Sequence, residues 1–164
     1  MNRIGQLLDE LHAAETDLAR EYRRVSERQA ADHGTHYPCR TLAAPCDEHA
    51  ATVRELAGRY EEDLGEPRHV EALDSALGAL RHRTAERLGG RPESGLLLLH
   101  DLRHLFLLTQ SVHVHWVLLG QAAGAVRDRE MLADVTRLHQ QTLAQAKWLM
   151  TRLKSAAPQV LATR

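Results

Sequence analysis

The chain has 164 residues and a formal net charge of −1, from 21 lysines and arginines against 22 aspartates and glutamates. This balance excludes a strong electrostatic attraction to nucleic acid or to an anionic membrane. The two cysteines are too few for a disulfide-dense scaffold, and the length fits a single domain over residues 1–164. Leucine, alanine, arginine and glutamate dominate the composition, which favours helices.

The first two predicted helices form a pair. Apolar residues recur at spacings of three and four over residues 2–31, which predicts an amphipathic helix, and Gly34 lies where that helix would end. A second apolar stripe lies between Pro38 and Leu64. This second helix begins either near Pro38, with a kink at Pro45, or at Pro45 as its first turn.

The remaining predicted elements are a connector and a second long pair. Residues 66–88 carry a weaker stripe and predict a short helix, which a Gly- and Pro-rich loop follows. Residues 96–125 predict the most apolar helix of the chain, and residues 128–155 predict the last one. Short turns make each long pair antiparallel, and the connector carries the chain back along the bundle. The sequence therefore predicts an all-α four-helix bundle with a short crossover helix, in which the most apolar helix runs parallel to the second.

No segment of the sequence has the pattern of a targeting signal or a membrane span. Residues 1–11 are interrupted by charged side chains, and the apolar region 96–124 by several ionisable ones, Asp101 and Arg103 among them. We therefore expect a cytoplasmic protein without a nucleic-acid or membrane partner.

The levels at which the helices meet decide which buried polar residues come together. In an antiparallel pair of helices, residue numbers rise on one helix as they fall on the other, so two residues that face each other have numbers with a constant sum. We set this sum at about 71 for the first pair and about 253 for the last. These sums place Glu15 level with His139, with His113 beside them. His49 falls on a second level, about 10 Å from Glu15 along the bundle axis and close to His104.

Glu15 is the most informative of these residues, because it interrupts an apolar stripe in which leucine would pack better. A buried carboxylate is costly without a partner, and imidazoles with a carboxylate suit a transition metal ion such as iron, zinc or copper. The sequence therefore predicts a histidine-rich metal site in the core of the bundle. Its candidate ligands are Glu15, His49, His104, His113 and His139.

Several of these assignments have open alternatives. Glu15 could instead lie at the edge of its stripe and pair with Arg54 or Arg59, and the histidines could be hydrogen-bonded core residues. A further polar cluster falls near the first turn, and it predicts either a metal site or a hydrogen-bonded turn. Its members are Asp32, His33, His36 and Cys39.

Several long stretches of the sequence carry a family resemblance. They are residues 7–25 with Glu15 among them, the run LLLLHDLRHLFLL at residues 96–108, and residues 116–132 and 138–161. Through these stretches most of the chain resembles the ferritin-like four-helix proteins and, more closely, uncharacterised bacterial proteins of that type. The resemblance implies a ferritin-like bundle. The di-iron pattern of that family places a Glu on one helix of each pair and Glu-x-x-His on the other.

The match to this di-iron pattern is partial. Glu15, His49 and His139 fit it, whereas Cys46 and Thr136 stand where its other glutamates would be. These departures favour nitrogen-rich ligation of zinc, copper or a single iron over a di-iron pair.

The sequence leaves two functions in competition. The first is a metal-binding bundle that acts as an oxidoreductase or in metal handling. The second is a non-catalytic helical module, a homodimer or a partner-binding subunit, in which buried polar residues fix the helix register. Leu107, Val114 and Leu118 lie away from the core line of the most apolar helix, so we expect either the connector or a symmetric homodimer to cover them.

Overall fold

The computed structural model describes residues 2–60, 64 and 94–162 of the chain. This part of the chain folds into four α-helices and contains no strand, which confirms the all-α prediction. The predicted connector over residues 66–88 lies outside the described residues. The helices are α1 (Arg3–Arg28), α2 (His33–Arg59), α3 (Ser94–Ala125) and α4 (Arg129–Leu161).

Side-chain caps fix the starts of two helices. The Oδ1 atom of Asn2 accepts a hydrogen bond from the backbone N–H of Gly5 at 2.6 Å, and Oδ1 of Asp128 accepts one from Met131 at 2.9 Å. Between α3 and α4 the chain turns at Arg127, whose φ of 57° is unusual for a side chain with a Cβ. The turn is therefore tight, and α4 returns directly along α3.

α2 differs most from its predicted course. It begins at His33, so Gly34 lies in its first turn and neither Pro38 nor Pro45 starts it. The predicted start is wrong because the packing of a buried face of α2 against its neighbours outweighs the backbone hydrogen bond that each proline removes from the helix. The buried residues of that face include Thr35, Cys39, Ala43, Cys46 and His49.

The contacts of α1 fix the directions of the helices. α1 and α2 are joined by a short turn and are antiparallel, as are α3 and α4. Arg28, at the end of α1, bonds Asp101 near the start of α3, and Glu15 bonds Trp116 in the second half of α3. Because residue numbers rise on one helix as they fall on the other, α1 is antiparallel to α3. α2 and α3 therefore run parallel, as predicted.

The core combines leucine packing with polar side chains. Tyr22 and Trp116 are the largest fully buried residues. Polar residues share this interior, namely Glu15, His49, Thr109, Thr142 and Gln145. None of the described helices combines the length and apolar character needed to cross a membrane.

Candidate functional site

A carboxylate lies at the centre of the bundle. Glu15 has no exposed surface, and its Oε1 atom accepts hydrogen bonds from Nδ1 of His49 at 2.8 Å and from Nε1 of Trp116 at 2.9 Å. The alternative in which Glu15 lies at the edge of its stripe, paired with Arg54 or Arg59, is therefore wrong. Its partners come from the interiors of α2 and α3.

His49 has an oxygen atom beside each ring nitrogen. Its Nε2 lies 2.8 Å from Oε1 of Gln141 on α4, opposite the bond to Glu15. Both nitrogens donate only when the ring is protonated. Burial lowers the pKa of His49, but the hydrogen bonds to Glu15 and Gln141 and the charges of Glu15 and Glu48 together outweigh it and raise the pKa overall. Glu15 and His49 therefore form a buried ion pair, and together with Trp116 and Gln141 they make up what we call the polar centre.

The predicted separation of Glu15 and His49 is wrong. The turn between Arg28 and His33 is shorter than the sequence analysis assumed, because α2 begins at His33. The shorter turn slides α2 along α1 by about two helical turns, or about 10 Å, which brings His49 onto the level of Glu15. A register set by turn length thus creates the polar centre.

Another predicted pair forms between α3 and α4. The Nδ1 atom of His113 lies 2.7 Å from Nε2 of His139, and both side chains are half-buried. Burial lowers the pKa of His139, and the neighbouring His113 lowers it further. Two charged rings in contact would repel each other, so this arrangement disfavours protonation of both rings at once.

The structure thus distributes the five predicted ligands over three places. Glu15 is bonded to His49, and His113 to His139, while His104 lies among the charged groups at the other end of α3. Within the described ranges, no group of three or more His, Cys, Asp or Glu side chains is placed to hold a metal ion. Metal binding by these residues stays a prediction.

His104 lies near a buried ion-pair cluster. Arg28 donates to Glu21 at 2.6 Å and to Oδ1 of Asp101 at 3.0 Å, and Gln29 donates to Oδ2 of Asp101 at 2.9 Å. Burial lowers the pKa of His104, which favours its neutral form. The cluster therefore ties the end of α1 to α3.

Hydrogen bonds join the polar cluster near the first turn to its neighbours. Asp32 accepts from Thr35 Oγ1 at 2.7 Å and from Arg152 at 2.6 Å, and the hydroxyl of Ser26 donates to the His36 carbonyl at 2.9 Å. These bonds are those of the predicted hydrogen-bonded turn. They also bind the turn to α4.

The two cysteines are buried thiols. Burial raises the pKa of Cys39 to about 12, and burial together with the charge of Glu15 raises the pKa of Cys46 well above its ordinary value. Cys46 lies 3.7 Å from the amide of Gln145. Since the thiolate is the nucleophile, neither cysteine is activated for covalent catalysis.

Sequence reasoning missed three polar contributors to this interior. Trp116 lies in an apolar stripe of the sequence, where its indole N–H gives no separate signal. Gln141 and Gln145 are spaced one helical turn apart on α4, and this spacing is the signal that could have identified them.

The polar centre is not accessible to a substrate in solution. Glu15 and His49 have no exposed surface, and Gln141, which contacts the imidazole, lies at the surface of the bundle. Acid–base catalysis on a substrate would require Gln141 to move away. No protein-family model, no curated protein and no solved structure matches the chain, so the geometry carries the functional argument.

Proposed function

We propose that the protein is a non-catalytic interaction module with a ferritin-like helical bundle, and that it forms a symmetric homodimer through α3. One observation carries the proposal. Leu107, Val114 and Leu118 are 56%, 53% and 51% exposed on the most apolar helix of the chain. A row of half-exposed large apolar side chains along one helix is typical of an interaction surface. We call this row, with Ser111 between its members, the α3 face.

The spacing along the α3 face suits a twofold axis. Leu107, Ser111, Val114 and Leu118 follow one another at intervals of four, three and four residues, a pattern that is the same in both directions. An antiparallel copy of α3 would therefore place Leu107 against Leu118 and Ser111 against Val114. The twofold axis would repeat each of these contacts with the two copies exchanged. Self-complementarity of this kind is what a twofold interface requires. The small Ser111 next to the axis would let the two helices approach closely.

The polar centre supports a structural role for the buried ionisable groups. The charge of Glu15 is matched by His49, and both side chains are fully buried. A buried ion pair gives little net stability, but it disfavours any helix register in which one member lies against leucines. The pair therefore fits a module whose surface geometry must be held in one arrangement.

The oligomeric state tests the proposal. In sedimentation equilibrium we expect the wild-type protein to form dimers that dissociate on dilution. We expect Leu107→Glu to be monomeric at every concentration, because it places a charge in the interface formed by the α3 face. Leu143→Glu is the matched control, since Leu143 is an exposed leucine of α4, away from the α3 face. A wild-type protein that is monomeric throughout, or a dimer that survives Leu107→Glu, would contradict the proposal.

Metal binding is the second candidate function, and the contact between His113 and His139 favours it. Two imidazole nitrogens that face each other suit zinc or copper, with water completing the coordination. Elemental analysis of protein purified without a histidine tag gives the first test. Adding zinc to chelator-treated protein should raise the melting temperature of the wild type and of His33→Gln, but not of His139→Gln. No bound metal and no shift would remove this candidate.

A further inference from the structure

A groove of about 710 Å³ lies between α2 and α4, on the surface next to the polar centre. We call it the α2–α4 groove. Its volume lies in the range of about 300–1,000 Å³ that is usual for small-molecule sites. Its apolar walls include Pro38, Leu42, Pro45 and Ala144, and two aromatic residues, Tyr37 and Trp148, also line it.

The sequence of α2 explains why the groove exists. Pro38 and Pro45 are seven residues apart and therefore lie on the same face of α2, where both line the groove. Below them, α2 and α4 meet through polar contacts, from Cys46 to Gln145 and from His49 to Gln141. Long glutamine side chains span this space, so the outer edges of the two helices do not close on each other.

The ionisable side chains that line the groove favour a positively charged ligand over a negatively charged one. Glu48 is the ionisable acid among the lining residues. It forms no close ion pair within the described part of the chain, although its charge also acts on His49. Pro45 cannot donate to the carbonyl of Thr41, which also lines the groove, so that oxygen loses its usual helical donor. The described lining contains no lysine and no arginine. The charge of His49, farther inside, is matched by Glu15.

We propose that the α2–α4 groove binds a hydrophobic organic cation, a molecule of drug size that carries aromatic or alkyl groups around one quaternary or ammonium centre. Tyr37 and Trp148 supply aromatic rings for such a cation to stack on, and Glu48 supplies negative charge. The proline and leucine walls cover its apolar part. This site does not depend on the α3 face, which belongs to another helix.

Two probes of nearly the same size and shape test the charge preference. Tetraphenylphosphonium is a hydrophobic cation and tetraphenylborate is its anionic counterpart. In isothermal titration calorimetry at low ionic strength, we expect the phosphonium to bind the wild-type protein and the borate to bind much more weakly or not at all. Equal affinity for the two probes, or no binding of either, would overturn the proposal.

Substitutions then locate the bound cation. Glu48→Gln should weaken phosphonium binding about two- to fivefold, and Tyr37→Leu should do the same by removing an aromatic face. Both residues are exposed, so the fold tolerates the changes. Glu55→Gln is the matched control, because Glu55 is an exposed acid of α2 outside the groove and should leave the affinity unchanged. A loss of equal size in Glu55→Gln would assign the effect to overall charge and overturn the site.

Discussion

His49 donates a hydrogen bond from Nδ1 to Oε1 of Glu15 at 2.8 Å, and neither side chain has any exposed surface. The two residues are 34 positions apart in the chain and belong to different helices. Their contact exists only in the register that the turn between α1 and α2 sets. In water the pair would contribute little, but inside the bundle each member depends on the other to offset the loss of hydration.

The free energy of unfolding should therefore fall as the pH rises above neutrality. Burial lowers the pKa of His49, but Glu15, with smaller contributions from Gln141 and Glu48, raises it by more, so the folded-state pKa lies above the ordinary 6.5. The folded protein then holds this proton more tightly than the unfolded chain. The stabilisation is complete below pH 6.5 and is lost as the pH rises through the raised pKa. Urea denaturation across this range measures it.

Glu15→Gln is the control for this pH dependence. It keeps the size of the side chain but removes the charge, so we expect a loss of about 3 kcal/mol at pH 6 and a flatter profile above it. Burial lowers the pKa of His12 and of His104, and burial together with its neighbour His113 lowers that of His139. All three therefore destabilise the fold as the pH falls below 6.5, and equally in the two proteins. If Glu15→Gln kept the wild-type profile, the assignment of the proton to His49 would be wrong.

The number and order of the long helices could be predicted because helical periodicity is a local property of the sequence. The start of α2 could not, since local rules place a proline in the first turn of a helix and so favour a start at Pro38 or Pro45. The burial of Cys39, Cys46 and His49 on one face of α2 overrides those rules. A packed face of this kind is visible only once the neighbouring helices are in place.

At the polar centre, too, the sequence identifies a residue but not the partners that the tertiary structure brings to it. Glu15 could be identified because a carboxylate in an apolar stripe must find a partner. Its partner was misplaced because a few residues in a turn shift a helix by about 1.5 Å each. Trp116 could not be identified as a partner, since a tryptophan in an apolar stripe is also what a leucine-rich core contains. Only the direction of its N–H distinguishes the two roles.

Buried and exposed ion pairs of this protein should differ sharply in their contribution to stability. Asp101 is 2% exposed and accepts hydrogen bonds from Arg28 and Gln29. Asp101→Ala leaves these donors without their acceptor, so we expect a loss of about 2–3 kcal/mol. Asp134→Ala, which breaks an exposed pair with Arg137, should cost less than about 1 kcal/mol. Guanidinium denaturation of both variants checks this, and equal losses would contradict the role of burial.

The thiols should report global unfolding. Cys39 and Cys46 have no exposed surface, and burial raises the pKa of Cys39 to about 12 and that of Cys46 well above its usual range. We expect neither to react with Ellman's reagent in the folded protein at pH 8, and both to react in guanidinium. Rapid reaction of the folded protein would show that the bundle opens at α2 without unfolding as a whole.

Two tyrosines allow a matched comparison between a buried hydroxyl without a hydrogen-bond partner and a hydroxyl that has one. Tyr22 is fully buried, and its hydroxyl has no partner in hydrogen-bonding geometry among the described residues. The nearby Thr109 donates its own proton to the Leu105 carbonyl, so it could only accept from Tyr22. The hydroxyl of Tyr60 instead donates to Asp128 at 3.0 Å. Removing an unpaired buried hydroxyl relieves a desolvation cost, whereas removing a bonded one loses a contact.

We therefore expect Tyr22→Phe to raise the free energy of unfolding by about 1 kcal/mol and Tyr60→Phe to lower it by about the same amount. Urea denaturation at one pH measures both, and the two phenylalanines fill the same volume as the rings they replace. A loss of stability in Tyr22→Phe would mean that its hydroxyl donates to Thr109 in solution. Stabilisation would instead show that the buried Tyr22 hydroxyl lowers the free energy of unfolding of the wild-type protein. The fold tolerates this cost because leucine packing and the ion pair between Glu15 and His49 stabilise the same interior.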